Sequence, residues 1–336
     1  MIENYLNIKN SLRNLSDSEF ENILPTLASE LESIDYYSNY SNFELLTDWN
    51  NLIKWNTKFD SIASTQRVGM KLCEYFFPNF YDIENKNGDS FKKLWKSNNL
   101  EKVLRWNRKS HSTPYLSELK RGIYFNFKLA KSTMYRPQMA KMIVSNLKAK
   151  RVLDPCAGWG GRMLGCVASG AEYVAFEPNT ETYNGLIKLI EFLNIGDRVT
   201  IINDSALEMN KYDIGEFDLV LTSPPYFDLE VYSHEDTQSI KGCDNYSMWV
   251  DNFLKPLINL SFEYLKQDGW SCWNVHNIGK MKMIEDVRNL HSEFGYQKIY
   301  SVISSKRQTN KSETNNKSLD ITICYSKTIP NENRFF

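Results

Sequence analysis

The chain has 336 residues, a formal net charge of -1, 42% hydrophobic and 24% charged residues, which is the profile of a globular protein of one large domain or two ordinary ones. Its apolar runs are too short to span a bilayer, and the opening MIENYLNIKNSLRNLS has no apolar signal core, so a cytoplasmic protein is expected with no membrane partner. Six cysteines without a CxxC pair and four histidines without ligand spacing argue against a disulfide framework and against any metal site.

Residues 1–122 read as a mainly helical N-terminal domain. Leu12, Leu15, Phe20, Ile23, Leu24, Leu27, Leu31 and Ile34 recur at helical spacing, and Ser16 with Glu19 forms a capping-box pattern. A second apolar-periodic stretch runs from about Trp49 to Phe77 and stops at Pro78, and NKNGD (85–89) reads as a loop. The stretch 91–110, FKKLWKSNNLEKVLRWNRKS, interleaves cations with Phe91, Trp95 and Trp106. It is either an amphipathic helix with a solvated basic face or a surface where Lys92, Lys93, Arg105 and Arg108 neutralise phosphates. The near-zero net charge weighs little against such a partner, because the distribution of charge matters more than its sum.

From residue 123 to about 330 short apolar strands alternate with helical patterns, the mark of a parallel sheet with crossover helices. The spacing predicts a helix over 136–148, a strand over 151–154, a helix over 161–169 and a strand over 172–177. A helix over 180–194 and strands over 199–203 and 217–222 follow. Next come a long helix over 246–266, a strand over 270–276 and a helix over 281–293. Two strands near 297–304 and 319–326 flank a polar loop at 306–318.

RVLDPCAGWGGRML (151–164) is a strand, a glycine-rich turn and a helix start, in which Gly158 and Gly160 permit positive φ and close approach of a ligand. A dinucleotide fingerprint would require Gly or Ala where Met163 stands, and Asp154 would repel a pyrophosphate. The same Asp suits a cationic ligand such as S-adenosylmethionine. The next strand ends in Glu177, placed to take ribose hydroxyls, and the third ends in Asp204, placed to accept from an adenine amine. The fourth strand runs into Ser223-Pro224-Pro225-Tyr226 followed by Phe227. An exocyclic base amine is a poor nucleophile. A hydroxyl and carbonyls that accept its N–H bonds, with an aromatic face to hold an extruded base, answer that problem.

DPCAGWG followed by TSPPY resembles the DNA amino-methyltransferases within the class I S-adenosylmethionine-dependent methyltransferases. The resemblance covers about 123–330 and implies a Rossmann-like, seven-stranded α/β sheet with helices on both faces. It implies that Ser223, Pro224, Pro225 and Tyr226 are the catalytic tetrapeptide and that STMYRPQMAKMIVSNL (132–147) is a further segment against the cofactor. The cofactor set is then Tyr135, Pro137, Asp154, Cys156, Ala157, Gly158, Gly160, Glu177, Pro178, Asp204 and Ser205, with Phe227 beside the nucleic acid. The function implied is direct methylation of a flipped-out base in DNA, in a restriction-modification or phage setting, with Ser223 leaning towards N4 of cytosine over N6 of adenine. Three readings stay open beside it: an RNA base methyltransferase with the same core, a non-catalytic nucleic-acid-binding protein and a small-molecule methyltransferase. A homodimer or a nuclease partner is equally open. The family subgroup with this motif order usually carries recognition after the core, whereas here the spare domain lies in front.

Overall fold

The computed structural model describes residues 5, 9–10, 12–56, 66–129, 132–305 and 320–328. In chain order the helices of the first half are α1 (Asp17–Glu32), α2 (Asn42–Lys54), α3 (Met70–Phe76), α4 (Phe91–Leu94), α5 (Ser97–Lys109), α6 (Leu116–Asn126) and α7 (Pro137–Leu147). Strands and helices then alternate as β1 (Arg151–Asp154), α8 (Gly161–Ala168), β2 (Glu172–Phe176), α9 (Thr180–Leu193), β3 (Val199–Ile202) and β4 (Phe217–Thr222). After β4 come α10 (Tyr246–Trp249), a π turn (Val250–Leu254), α11 (Lys255–Glu263), β5 (Leu265–Val275), α12 (Met283–Glu293), β6 (Gln297–Ser305) and β7 (Asp320–Ser326). The polar loop expected at 306–318 lies outside the described residues.

Two compact units form. One comprises Met1–Asn39, Pro78–Thr133 and Asp228–Tyr232; the other comprises Tyr40–Phe77, Met134–Phe227 and Ser233–Phe336. This division differs from a single cut after residue 122. Residues 40–77 group with the sheet because Leu45, Trp49 and Leu52 of α2 and Leu72 and Cys73 of α3 are buried in the cluster on one sheet face. Residues 123–133 group with the helical unit, where Ile123 and Leu129 are core.

The helical unit packs Phe20, Leu24, Leu27 and Leu31 of α1 against Phe91, Trp95, Leu100, Val103 and Leu104 and against Leu119 and Ile123 of α6. The capping box expected at Ser16 is present: Glu19 N donates to Ser16 Oγ at 3.3 Å and Ser16 N donates to Glu19 Oε2 at 2.8 Å. These bonds satisfy two of the amides that every helix start leaves without intrahelical partners.

The sheet has seven strands in the order β3-β2-β1-β4-β5-β7-β6. The pairs β2–β3, β1–β2, β1–β4 and β4–β5 are parallel, while β7 runs antiparallel to β5 and β6. It is a Rossmann-like, seven-stranded α/β sheet with helices on both faces, the architecture expected from the sequence. Both faces are covered, so its central strands are apolar on successive residues. Val152, Leu219, Leu221 and Cys272 point into the cluster that holds α7, α8 and α9. Leu153, Val220, Trp273 and Val275 point into the opposite one, with Trp249, Leu254, Leu257, Met283 and Val287.

The boundary before β5 differs most from the periodicity. The helix expected to reach 266 ends at Glu263, and β5 begins at Leu265 rather than 270. Phe217 of β4 pairs with Leu265, but Leu219 pairs with Trp270, so the polar residues 266–269 bulge out of the ladder. The strand order reverses between β1 and β4, and it is outside the carboxyl ends of strands at such a switch point that open α/β sheets bind ligands.

Candidate active site at the carboxyl edge of the sheet

Asp154 is the last residue of β1 and is fully buried. Its Oδ1 accepts from Cys156 N at 3.1 Å and Thr222 Oγ1 at 2.8 Å, and its Oδ2 accepts from Arg162 Nε and Tyr173 OH, both at 2.6 Å. The carboxylate thus holds four donors on two oxygens with no solvent face, so a direct contact with a cationic ligand would have to displace one of them. It is the internal tie of the loop. Arg162, the second residue of α8, reaches back to this carboxylate, and its guanidinium also donates to the carbonyls of Cys156 and Ala157. The loop 154–162 is therefore closed by a buried ion pair at its base. Thr222, immediately before the tetrapeptide, fastens the end of β4 to the same carboxylate.

The glycines of the turn are explained by geometry. Gly158 (φ +57°) and Gly160 (φ +73°) are in the left-handed region, which L side chains adopt only at a cost. Gly161 has another reason: a Cβ there would lie 1.9 Å from the Tyr135 carbonyl oxygen. That contact brings Tyr135 against the loop, and Arg162 lies over its ring at 5.2 Å from the centroid. Pro137 starts α7, and its carbonyl would meet a Cβ on Gly165 of α8 at 2.2 Å. Tyr135 and Pro137 thus pack on the end of the glycine loop and on α8, through two glycines that the turn pattern alone did not single out. Trp159 packs edge-on against Phe77 at 6.0 Å.

Glu177 follows β2 and is 7% exposed. Its Oε2 accepts from Gly158 N at 2.8 Å and its Oε1 from Asn179 N at 2.9 Å. Burial pushes its carboxyl up to about 7, against the pull of the Asn179 and Gly158 amides. Each oxygen carries one bond and can accept a second. Asp204, beyond β3, is half-buried and accepts from Ser205 N at 2.7 Å and Tyr212 OH at 2.9 Å. Ser205 caps the following turn, its hydroxyl accepting from Leu207 N at 3.3 Å. Ala157 N donates to Phe176 O at 2.9 Å, and the Pro178 carbonyl accepts from Thr237 Oγ1 at 3.2 Å. The loops after β1, β2 and β3 thus share one edge. Burial pushes the Cys156 thiol up, so it stays a thiol at neutral pH.

Ser223 and Pro225 are half-buried and Pro224 is buried. Tyr226 is half-buried, and its OH lies 2.8 Å from His276 Nδ1, with ring centroids 4.4 Å apart and a tilt of 51°. His276 follows the end of β5, next to β4 in the sheet, and was not among the residues picked from the sequence. Its signal was positional: a histidine at the carboxyl end of the strand beside the tetrapeptide. Phe227, expected near nucleic acid, is buried with Tyr246 and Trp249 around it, on a backbone at φ +43°. It supports the tetrapeptide from the core side.

In the helical unit the cations chosen from 91–110 are engaged. Lys92 pairs with Asp82 at 3.1 Å and Lys93 with Glu84 at 2.6 Å. Arg105 forks onto Glu21, its Nη2 donating at 2.8 Å, and Arg108 donates to Asp17 and to the Leu12 and Leu15 carbonyls. Phe91 and Trp95 are core. Among the described residues there is no cluster that could hold a metal ion and no helix long and apolar enough to cross a membrane.

A family model described as "Conserved hypothetical protein 95" matches residues 127–242. No curated protein matches the chain. Among solved structures it is similar to TrmN from Thermus thermophilus, at 11% identity and TM-score 0.42 over 57% of this chain and 49% of that one. The chain thus spans about half the length of TrmN. It is similar to an rRNA methylase from Streptococcus thermophilus, at 13% identity and TM-score 0.39 over 58% of this chain and 99% of that one. It is also similar to a SAM-dependent O-methyltransferase from Thermotoga maritima, at 13% identity and TM-score 0.39 over 66% and 74% of the two chains.

Proposed function

We propose that the chain is an S-adenosylmethionine-dependent methyltransferase acting on an exocyclic amine of a nucleic-acid base. The observation that carries this reading is the bond from Thr222 to Asp154, which joins the strand end bearing Ser223–Tyr226 to the glycine loop across the switch point of the sheet. The cofactor supplies an electrophilic methyl group on a sulfonium centre. The buried Glu177 carboxylate, with acceptor capacity left on both oxygens, suits a ribose diol, and the positive-φ glycines leave room for close approach. Asp204 suits the adenine amine. The cofactor's ammonium falls to acceptors other than Asp154.

Ser223 and the carbonyls of the Pro-Pro turn accept the N–H bonds of the target amine and favour a more tetrahedral nitrogen, whose lone pair is then available for attack. Tyr226 holds the base by stacking, worth about 1–3 kcal/mol. Its ring is held in turn by His276. Catalysis comes from positioning and from hydrogen bonds that strengthen in the transition state. A thiol nucleophile, which ring-carbon methylation of a pyrimidine requires, is not offered by Cys156. The DNA reading, with N4 of cytosine ahead of N6 of adenine, rests on the likeness of the tetrapeptide to DNA amino-methyltransferases. RNA carries the same amines, so both nucleic acids belong in the test.

The pocket is tested by calorimetry with S-adenosylhomocysteine. Wild-type protein is expected to bind, with Glu177→Ala and Asp204→Ala each weakened. Wild-type affinity in both variants would refute the assignment.

A further inference from the structure

The helical unit carries an aromatic and cationic face that the pairing of Lys92, Lys93, Arg105 and Arg108 leaves untouched. On α5, Leu100, Val103, Leu104 and Asn107 are buried, while Lys102, Trp106 and Lys109 fall on one other face at i, i+4 and i+7. On α6, Leu119, Gly122 and Ile123 are buried, and Phe125 is 67% exposed. The rings of Trp106 and Phe125 meet with centroids 5.4 Å apart and only 32° between their planes. Gly122 makes this possible, since a Cβ there would lie 2.4 Å from Val103 and 3.3 Å from the Trp106 ring. Beside them, Lys102 Nζ sits 4.8 Å from the Phe127 ring centroid, and Lys128 follows on a left-handed backbone at φ +50°.

Among the described residues no carboxylate pairs with Lys102, Lys109 or Lys128, and the one ion pair of Arg121, to Glu118 at 3.4 Å, is open to solvent. A phenylalanine two-thirds exposed contributes little to the core, and its ring instead offers a flat face to solvent between cations. An exposed ring packed on a half-buried one, with unpaired lysines on the same face of α5, is complementary to a polymer whose flat bases stack and whose phosphates are negative.

We propose that this α5–α6 face binds single-stranded nucleic acid, with a base on Phe125 and phosphates at Lys102, Lys109 and Lys128. The inference shares its partner class with the function proposed above, but it is tested without methyl transfer, so either can fail alone. Fluorescence anisotropy with labelled oligo(dT), oligo(U) and a duplex of equal length, in the absence of cofactor, provides the test. Both single strands are expected to bind more tightly than the duplex. Phe125→Ala, a surface change whose fold is checked by circular dichroism, should weaken single-strand binding by roughly 5- to 150-fold. Changing Lys102, Lys109 and Lys128 together to Gln should reduce the salt slope by about 2. Binding of one sugar type only would identify the strand as DNA or RNA within the same proposal. Wild-type affinity in folded Phe125→Ala with an unchanged salt slope in the lysine variant, or no single-strand binding by the wild type, would overturn it.

Discussion

The bond between Tyr226 OH and His276 Nδ1, at 2.8 Å, predicts a specific coupling. Tyr226→Phe keeps the ring that would stack on the base and removes only the hydroxyl. A hydrogen bond of this kind is worth about 0.5–1.5 kcal/mol net, so turnover should fall about two- to tenfold. His276→Ala removes the same bond from the other side and should cost a similar factor. The double variant should then be little worse than either single one, because the interaction is lost only once. Tyr226→Ala also loses the ring, and a further drop of roughly 5- to 150-fold follows from lost stacking. All four are compared by single-turnover methyl transfer, with S-adenosylhomocysteine affinity measured in parallel and expected to stay near the wild-type value. Additive losses in Tyr226→Phe and His276→Ala would show that the bond does not act through the ring, and equal rates in Tyr226→Ala and wild type would remove Tyr226 from the site.

Asp154→Ala leaves the guanidinium of Arg162, itself 5% exposed, unpaired in the interior, and should cost about 3–5 kcal/mol in chemical denaturation; a loss under 1 kcal/mol would contradict the structural role given to it. Gly161→Ala drives a Cβ against the Tyr135 carbonyl and should destabilise by about 1–3 kcal/mol. Gly242→Ala, with the same residue change at positive φ but open space around it, should cost only about 1 kcal/mol, and a reversed order in their melting temperatures would refute the packing argument. Glu177 has a folded pKa of about 7 against an ordinary 4.5, so its stabilising contribution is complete below about pH 4.5 and is lost as pH rises through 7. Relative to Glu177→Ala, the wild type should lose up to about 3 kcal/mol between pH 5 and 8.5, whereas parallel pH profiles would place the carboxyl in a solvated setting.

Strands β1 to β4 were legible because each is a short apolar run closed by proline or a carboxylate, whereas β5 starts five residues before its apolar run. β1 and β4 fall within the expected limits, and β2 and β3 end one residue short of them. The division into units was not legible. Whether an amphipathic helix such as α2 covers the sheet or a helical bundle depends on partners far along the chain, and its apolar spacing is the same in either case. The role of Asp154 was hidden for a related reason. Its partners, Arg162, Tyr173 and Thr222, come from three different elements, and only the folded sheet brings them to one carboxylate. The one local sign was an arginine in the otherwise apolar helix 161–168. In the basic stretch 91–110, Glu101 of the same helix engages Arg105, and so does Glu21 on α1, a partner that the local sequence does not show. Lys102 and Lys109 share their helix face with Trp106, but the exposed ring that meets Trp106, Phe125, lies on the next helix.

The central claim is transfer of a methyl group to a base amine. Purified protein incubated with methyl-labelled S-adenosylmethionine and unmodified DNA or RNA, followed by digestion to nucleosides and mass spectrometry, tests it most directly. Label on N4 of cytosine or N6 of adenine, lost in Ser223→Ala and Tyr226→Ala, is the expected result. Label on a ring carbon, or no label in either nucleic acid while S-adenosylhomocysteine still binds, would contradict it.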